Sequence, residues 1–200
     1  ADAPNVTLHG AAVVPASAQI FSAFGFNHVR LYDETLEFMK EIPAKNGPTP
    51  AEAVAGAELG LGFKIRDEFL VGFSGEYGLA FDLGDLSQLT PDKGVNEKDI
   101  RGVFYAALKN PGMVQTALQK IRAMVAAEQK KVNTEPGPQT ETYQNIEINQ
   151  LGEISLAVLD DMLVAGRTQD LRWVIDARVA GQTLDKQEAF QKAMKSTPAN

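Results

Sequence analysis

Three strand-like runs follow one another with almost no chain between them, at about 141–149, 152–159 and 162–167. Asp160-Asp161 reads as a two-residue turn between the last two. Links this short join antiparallel neighbours, because a parallel pair needs a long crossover. Upstream, Tyr77, Leu79, Phe81 and Leu83 alternate with Glu76, Gly78, Ala80 and Asp82, a strand opening at Gly75. Gln19–Phe26 and Arg101–Leu108 are strand-like and apolar on both faces, which predicts central or doubly covered positions.

Helical signals alternate with these strands. Asn27 reads as the N-cap of a helix to about Ile42, with Tyr32, Leu36, Met39 and Ile42 on one stripe and Pro43 as its stop. Thr49-Pro50-Ala51-Glu52 is a capping box with Pro at the first helical position, and Ile65–Phe73 predicts another short helix. Asn110-Pro111 starts a long helix to about Lys131. Thr168 reads as the cap of a helix closed by Gly181, and Asp185 as the cap of a last one near 186–195. Residues 1–17 read as an extended arm or an edge strand, 84–99 as a polar, turn-rich stretch, and 133–140 as a loop. The expected fold class is α+β. A mixed or mostly antiparallel sheet of about six or seven strands is covered by about four to five helices, with residues 1–200 forming a single globular unit.

Two pieces of the chain echo each other in order. Phe21-x-Ala23-x-x-x-Asn27 matches Phe104-x-Ala106-x-x-x-Asn110, and Gly75-Glu76-x-x-Leu79-Ala80 matches Gly152-Glu153-x-x-Leu156-Ala157. One reading is coincidence between strand–helix units. The other is an internal repeat of 18–83 and 101–167, each half strand–helix–strand, followed by C-terminal helices at 168–196. A repeat predicts the same strand direction and connectivity in both halves, and a cleft between them.

Composition narrows the chemistry. The 200 residues include no cysteine, which excludes disulfides, a thiolate nucleophile, Cys-ligated zinc and iron–sulfur clusters. The two histidines, His9 and His28, leave little for a His-rich metal centre. With 19 basic against 26 acidic residues the net charge is −7, which disfavours nucleic acid and anionic membrane surfaces. Lys120, Arg122, Lys130 and Lys131 make one helix locally basic, but no aromatic residues interleave with them. No apolar run of about 18 residues is present, so no transmembrane segment is expected, and nothing near Ala1 reads as a signal peptide.

No complete catalytic constellation emerges, and no cofactor or metal is expected. Glu76 and Glu153 occupy equivalent places in the suspected repeat. Paired in a cleft they would suit acid–base work or cation binding; singly, each is an ordinary solvated residue beside a glycine. Arg172 and Trp173 are interface candidates on the helix after the hairpin, or a half-buried anchor. Asp160-Asp161 lacks the further ligands of a calcium loop, and Asp33, Glu34, Glu37 and Glu41 read as a solvated helix face. Gly72-Phe73-Ser74-Gly75-Glu76 misses the nucleophile-elbow spacing by one place, and Gly56, Gly60 and Gly62 do not form a dinucleotide fingerprint.

Several phrases of the second half carry a resemblance. They are Tyr143-Gln144-Asn145-Ile146-Glu147-Ile148, the run from Leu156 through Asp160-Asp161 to Gly166, Leu171-Arg172-Trp173-Val174-Ile175-Asp176, and Thr183-Leu184 with Phe190. With the early Val14-Pro15-Ala16, they resemble a family of bacterial exported or membrane-attached proteins known only as a domain of unknown function. Asn145 stands where that family usually has Gly. The resemblance implies a hairpin followed by a helix, and an extracytoplasmic location, periplasmic, secreted or envelope-attached. It brings no catalytic residues. The expected function is a non-catalytic binding or interaction module for a partner protein or a small apolar ligand. The alternative is a hydrolase or metal-dependent enzyme using Glu76 and Glu153, and a third possibility is oligomerisation through the arm at 5–14.

Overall fold

The computed structural model describes residues 6–43, 47–85, 100–132 and 139–196. Its strands are β1 (Ile20–Gly25), β2 (Phe73–Asp82), β3 (Arg101–Leu108), β4 (Gln139–Tyr143), β5 (Ile146–Leu151), β6 (Ile154–Leu159) and β7 (Met162–Gly166). They form one seven-stranded sheet in the order β1-β2-β3-β7-β6-β5-β4, antiparallel at every step. The helices are α1 (His28–Lys40), α2 (Pro50–Leu61), α3 (Ile65–Glu68), α4 (Pro111–Val132), α5 (Thr168–Val179) and α6 (Glu188–Ser196). The chain is thus α+β, with six helices among the described residues.

Local chemistry explains most boundaries. Asn27 Oδ1 accepts from the Arg30 N–H at 3.0 Å and Asn110 Oδ1 from the Met113 N–H at 3.1 Å, so both asparagines cap helices as expected. Thr49 and Glu52 complete the reciprocal capping box of α2. Elsewhere the structure departs from expectation. The run 141–149 is not one strand but a hairpin, β4 to β5, turning at Gln144 and Asn145 with φ 48° and 66°. Two successive left-handed residues match the twist of the flanking strands, and asparagine tolerates that conformation without glycine. The expected helix at 65–73 divides into α3 and a 3-10 turn at Leu70–Gly72, and β2 starts at Phe73 rather than Gly75. Arg167, not Thr168, is the N-cap residue of α5, and the Thr168 hydroxyl instead meets that of Ser155 at 2.8 Å. Asp185 lies in a 3-10 turn before α6, where its carboxylate accepts from the Thr183 hydroxyl. Most of the polar stretch 84–99 and of the loop 133–140 lies outside the described residues.

The sheet is covered on both faces. On one face the arm (Val13, Val14) and α5 (Leu171, Val174, Ile175) pack on Ala80, Val103, Tyr105, Ile148, Ala157 and Val164. From α6, Phe190 meets Phe21 edge-on at 6.0 Å. On the other face Phe69, Val114 and Leu118 pack with Phe73, Tyr77, Ala106, Leu163, Leu156 and Val158. There α1 enters through His28, whose Nε2 donates to the Leu70 carbonyl at 2.6 Å while its ring lies edge-on to Phe73 and Tyr77. β3 is central, as its apolar pattern predicts. β1 is not: it forms an edge, and Ile20 and Phe24 stay 46% and 45% exposed.

The repeat does not extend to the tertiary structure. β1 and β2 are adjacent and antiparallel, whereas β3 and β6 are separated by β7 and therefore run parallel. The two Asn-capped strand–helix units are alike locally, but the two Gly-Glu pairs are not. Gly75-Glu76 lies in a bulge of β2, where five residues of β2 (Phe73 to Tyr77) lie opposite three of β3 (Leu108 to Ala106) and Gly75 takes φ 98°. Gly152-Glu153 is the turn between β5 and β6.

Two predictions follow from the packing. A Cβ at Gly78 meets the Ser22 carbonyl oxygen at 2.2 Å, whereas one at Gly56 meets nothing within 4 Å. Gly78→Ala is expected to lose about 2–3 kcal/mol in urea unfolding and Gly56→Ala to gain about 0.5–1 kcal/mol from better helix propensity. Burial pushes the Tyr77 hydroxyl from 10.0 up to about 12. The folded state thus favours protonated Tyr77, so this contribution is intact below pH about 10 and is lost as pH rises through about 12. Tyr77→Phe removes that part of the alkaline loss, measurable as a shallower fall of the urea midpoint over this window.

Candidate functional site

Glu76 is the one buried carboxylate among the sequence candidates, at 4% exposure. Strand alternation places it, with Gly78 and Ala80, on the face that carries the arm. Its Oε1 accepts the Gly10 N–H at 3.0 Å, and its Oε2 accepts the Thr7 N–H at 3.1 Å and the Thr7 hydroxyl at 3.2 Å. His9 Nδ1 lies 3.9 Å from Oε2. The carboxylate therefore holds the start of the 3-10 turn His9–Ala12 against the sheet. The sequence reads 1–17 as an extended arm or an edge strand; among the described residues 6–17, this turn interrupts any such extended run.

Beside this anchor, Tyr105 is closed in from two sides. A Cβ at Gly10 would sit 2.2 Å from its ring, and one at Gly78 would sit 2.3 Å from its hydroxyl oxygen. Phe21 stacks on the ring at 5.9 Å, and the hydroxyl donates to the Ser22 carbonyl at 3.5 Å. Burial, together with the nearby Glu76 charge, holds the hydroxyl well above the usual tyrosine range. Farther along the arm, Ala16 N–H bonds the Gln182 carbonyl at 2.8 Å and Leu184 N–H bonds the Val14 carbonyl at 2.8 Å.

Glu153 lies elsewhere. β3 and β7 intervene between β2 and β6, so the two glutamates are about 14 Å apart across the strands. The register leads from Glu76 to the neighbourhood of Leu159, which is about 20 Å along β6 from Glu153. The carboxylates cannot flank one substrate, and the paired-glutamate enzyme fails on this geometry. Glu153 is an exposed turn residue at the rim of an open groove of about 750 Å³ that also includes Gly102, Ile154, Gly166 and the Arg167–Asp170 ion pair.

Trp173 is buried and also holds the arm, donating from Nε1 to Ser17 Oγ at 3.1 Å, with the Arg101 guanidinium 5.9 Å above its ring. It lines a cleft of about 630 Å³ with Pro15, Arg101, Asp176 and Gln182. Arg172 bonds Glu141 through Nε at 2.9 Å and Nη2 at 2.6 Å and lies over the Tyr143 ring, tying α5 to edge strand β4. Asp160 takes the hairpin turn at φ 53° and pairs with Arg178. The supposed solvated face of α1 is partly spent on a fork from Arg66 to Asp33 at 2.7 and 2.9 Å, which holds the Asp33 carboxyl below its usual range. No group of three or more His, Asp or Glu among the described residues is placed to hold a metal ion. No described helix is long and apolar enough to cross a membrane.

Sequence reasoning missed Thr7, Gly10, Ser17 and Tyr105. His9-Gly10 was visible only as an isolated pair, because the contacts that give it meaning span more than 60 residues of chain.

Glu76→Ala is expected to cost about 2–3 kcal/mol, since it leaves the buried Gly10 N–H and the part-buried Thr7 N–H without their acceptor. Glu153→Ala is expected to change stability by less than about 0.5 kcal/mol. Chemical denaturation of both variants checks the contrast, and equal effects would contradict it. Comparison of the chain with protein-family models, with curated proteins and with solved structures found no match.

Proposed function

We propose that this chain is a non-catalytic interaction module that presents the uncovered apolar surface of β1 and β2 to a partner protein. One observation carries the reading. On the α1–α4 face, Ile20, Leu79 and Phe24 are same-face neighbours by register, with Leu79 opposite Ser22 and 37% exposed. Phe24 stacks on Tyr77 at 6.1 Å, and Phe26, 40% exposed, meets the same ring at 6.3 Å. This continuous apolar patch ends at a sheet edge, and β1 holds no charge and no proline to guard it. The opposite edge, β4, is short and polar, with Glu141 paired to Arg172. The use of Glu76 as an anchor supports a non-catalytic role. An extracytoplasmic location belongs to the same proposal, supported by the cysteine-free sequence and by the resemblance of the second half.

A photo-crosslinking residue at Ser22 tests the reading in an extract of the native host. It should trap a discrete protein that unmodified chain displaces and that a Phe24→Lys, Leu79→Lys variant displaces at least about tenfold less well. Equal displacement by the variant, or the same capture from a crosslinker at Lys192 on α6, would contradict it.

A further inference from the structure

We infer that a second surface, the cleft between α4 and the β5–β6 hairpin, is a binding site for a neutral polyhydroxylated ligand such as a short carbohydrate. The cleft has a volume of about 320 Å³, at the small end of the range for ligand pockets. Gln115 and Gln119, one turn apart on α4, line one wall, and Asn145 and Asn149 line the other. Leu118, Leu156 and Val158 supply an apolar side.

The donor and acceptor inventory selects the ligand. Each amide offers a carbonyl oxygen and two N–H donors, which match adjacent hydroxyl groups that both donate and accept. Asn149 is already oriented: its Oδ1 accepts from Arg122 at 2.8 Å and its Nδ2 donates to Glu147 at 3.0 Å. The side-chain amides of Gln115, Gln119 and Asn145 are not engaged with another described side chain. Asn145 is set at this wall by the left-handed turn of the β4–β5 hairpin. Charge selects against an anion, because the Glu147 carboxylate lines the cleft and Arg122, which bonds Asn149, lies 3.7 Å from that carboxylate. The apolar side suits the C–H face of a sugar ring. This site is separate from the β1–β2 patch, so it stands or falls independently of the proposed partner surface.

Saturation-transfer NMR and calorimetry on the full chain test it, with maltose, cellobiose and diacetylchitobiose as neutral probes and glucuronate and inorganic phosphate as anionic ones. At least one neutral disaccharide should bind with a Kd of about 1 mM or tighter. Gln115→Ala with Gln119→Ala should weaken it at least about tenfold while leaving the urea midpoint unchanged, since both positions are exposed on a helix that alanine favours. Gln191→Ala on α6 should leave binding unchanged. Absence of binding by all three disaccharides up to about 10 mM, binding unaltered in the double variant, or tighter binding of the anions would overturn the inference.

Discussion

The buried Glu76 carboxylate fixes the N-terminal arm against the sheet. A buried charge without partners is prohibitively unfavourable, so Glu76 needs donors at fixed positions. Thr7 and Gly10 supply them, and that requirement places the arm. Once placed, the arm covers Tyr105 with a residue that has no side chain, brings Val13 and Val14 into the core, and sets Ser17 to accept from Trp173. Strand alternation sets Phe73 and Tyr77 on one face of β2 and Glu76 on the other, and the bulge between Phe73 and Tyr77 adds two residues relative to β3. A residue that reads as candidate chemistry is therefore consumed by the fold.

The sheet has two unlike edges, and their difference is where the functional reading rests. β4 is short and polar, tied down by Arg172 and Arg122. β1 is apolar on both faces, with one face packed under Phe190 and the other open. An edge of that kind is normally guarded by charge, proline or a covering element. The amide-lined cleft beneath α4 uses the opposite chemistry at the other end of the sheet, so the two surfaces suit different classes of ligand.

Local pattern made much of the fold legible. Asn27, Asn110 and the Thr49–Glu52 box announced their helices because a cap is a short-range contact. The meander from 141 onward announced an antiparallel sheet because its links are short. The hairpin at Gln144-Asn145 stayed hidden because no glycine marked it. The edge position of β1 was hidden because an apolar strand looks the same whether a neighbour covers it or not. The site reading failed for the same reason: Gly75-Glu76 and Gly152-Glu153 match letter for letter, yet one is a bulge and the other a turn. Only strand order and register, which arise from long-range pairing, separate them.

Native-state amide exchange at Gly10, compared with Tyr105 in β3, tests the central claim most directly. If Glu76 locks the arm into the core, the Gly10 N–H exchanges only through global unfolding, with an opening free energy within about 1 kcal/mol of that of Tyr105. Exchange of Gly10 through local fraying, several kcal/mol easier than Tyr105, would show that the arm is not held by the buried carboxylate and would return Glu76 to the list of groups free for chemistry.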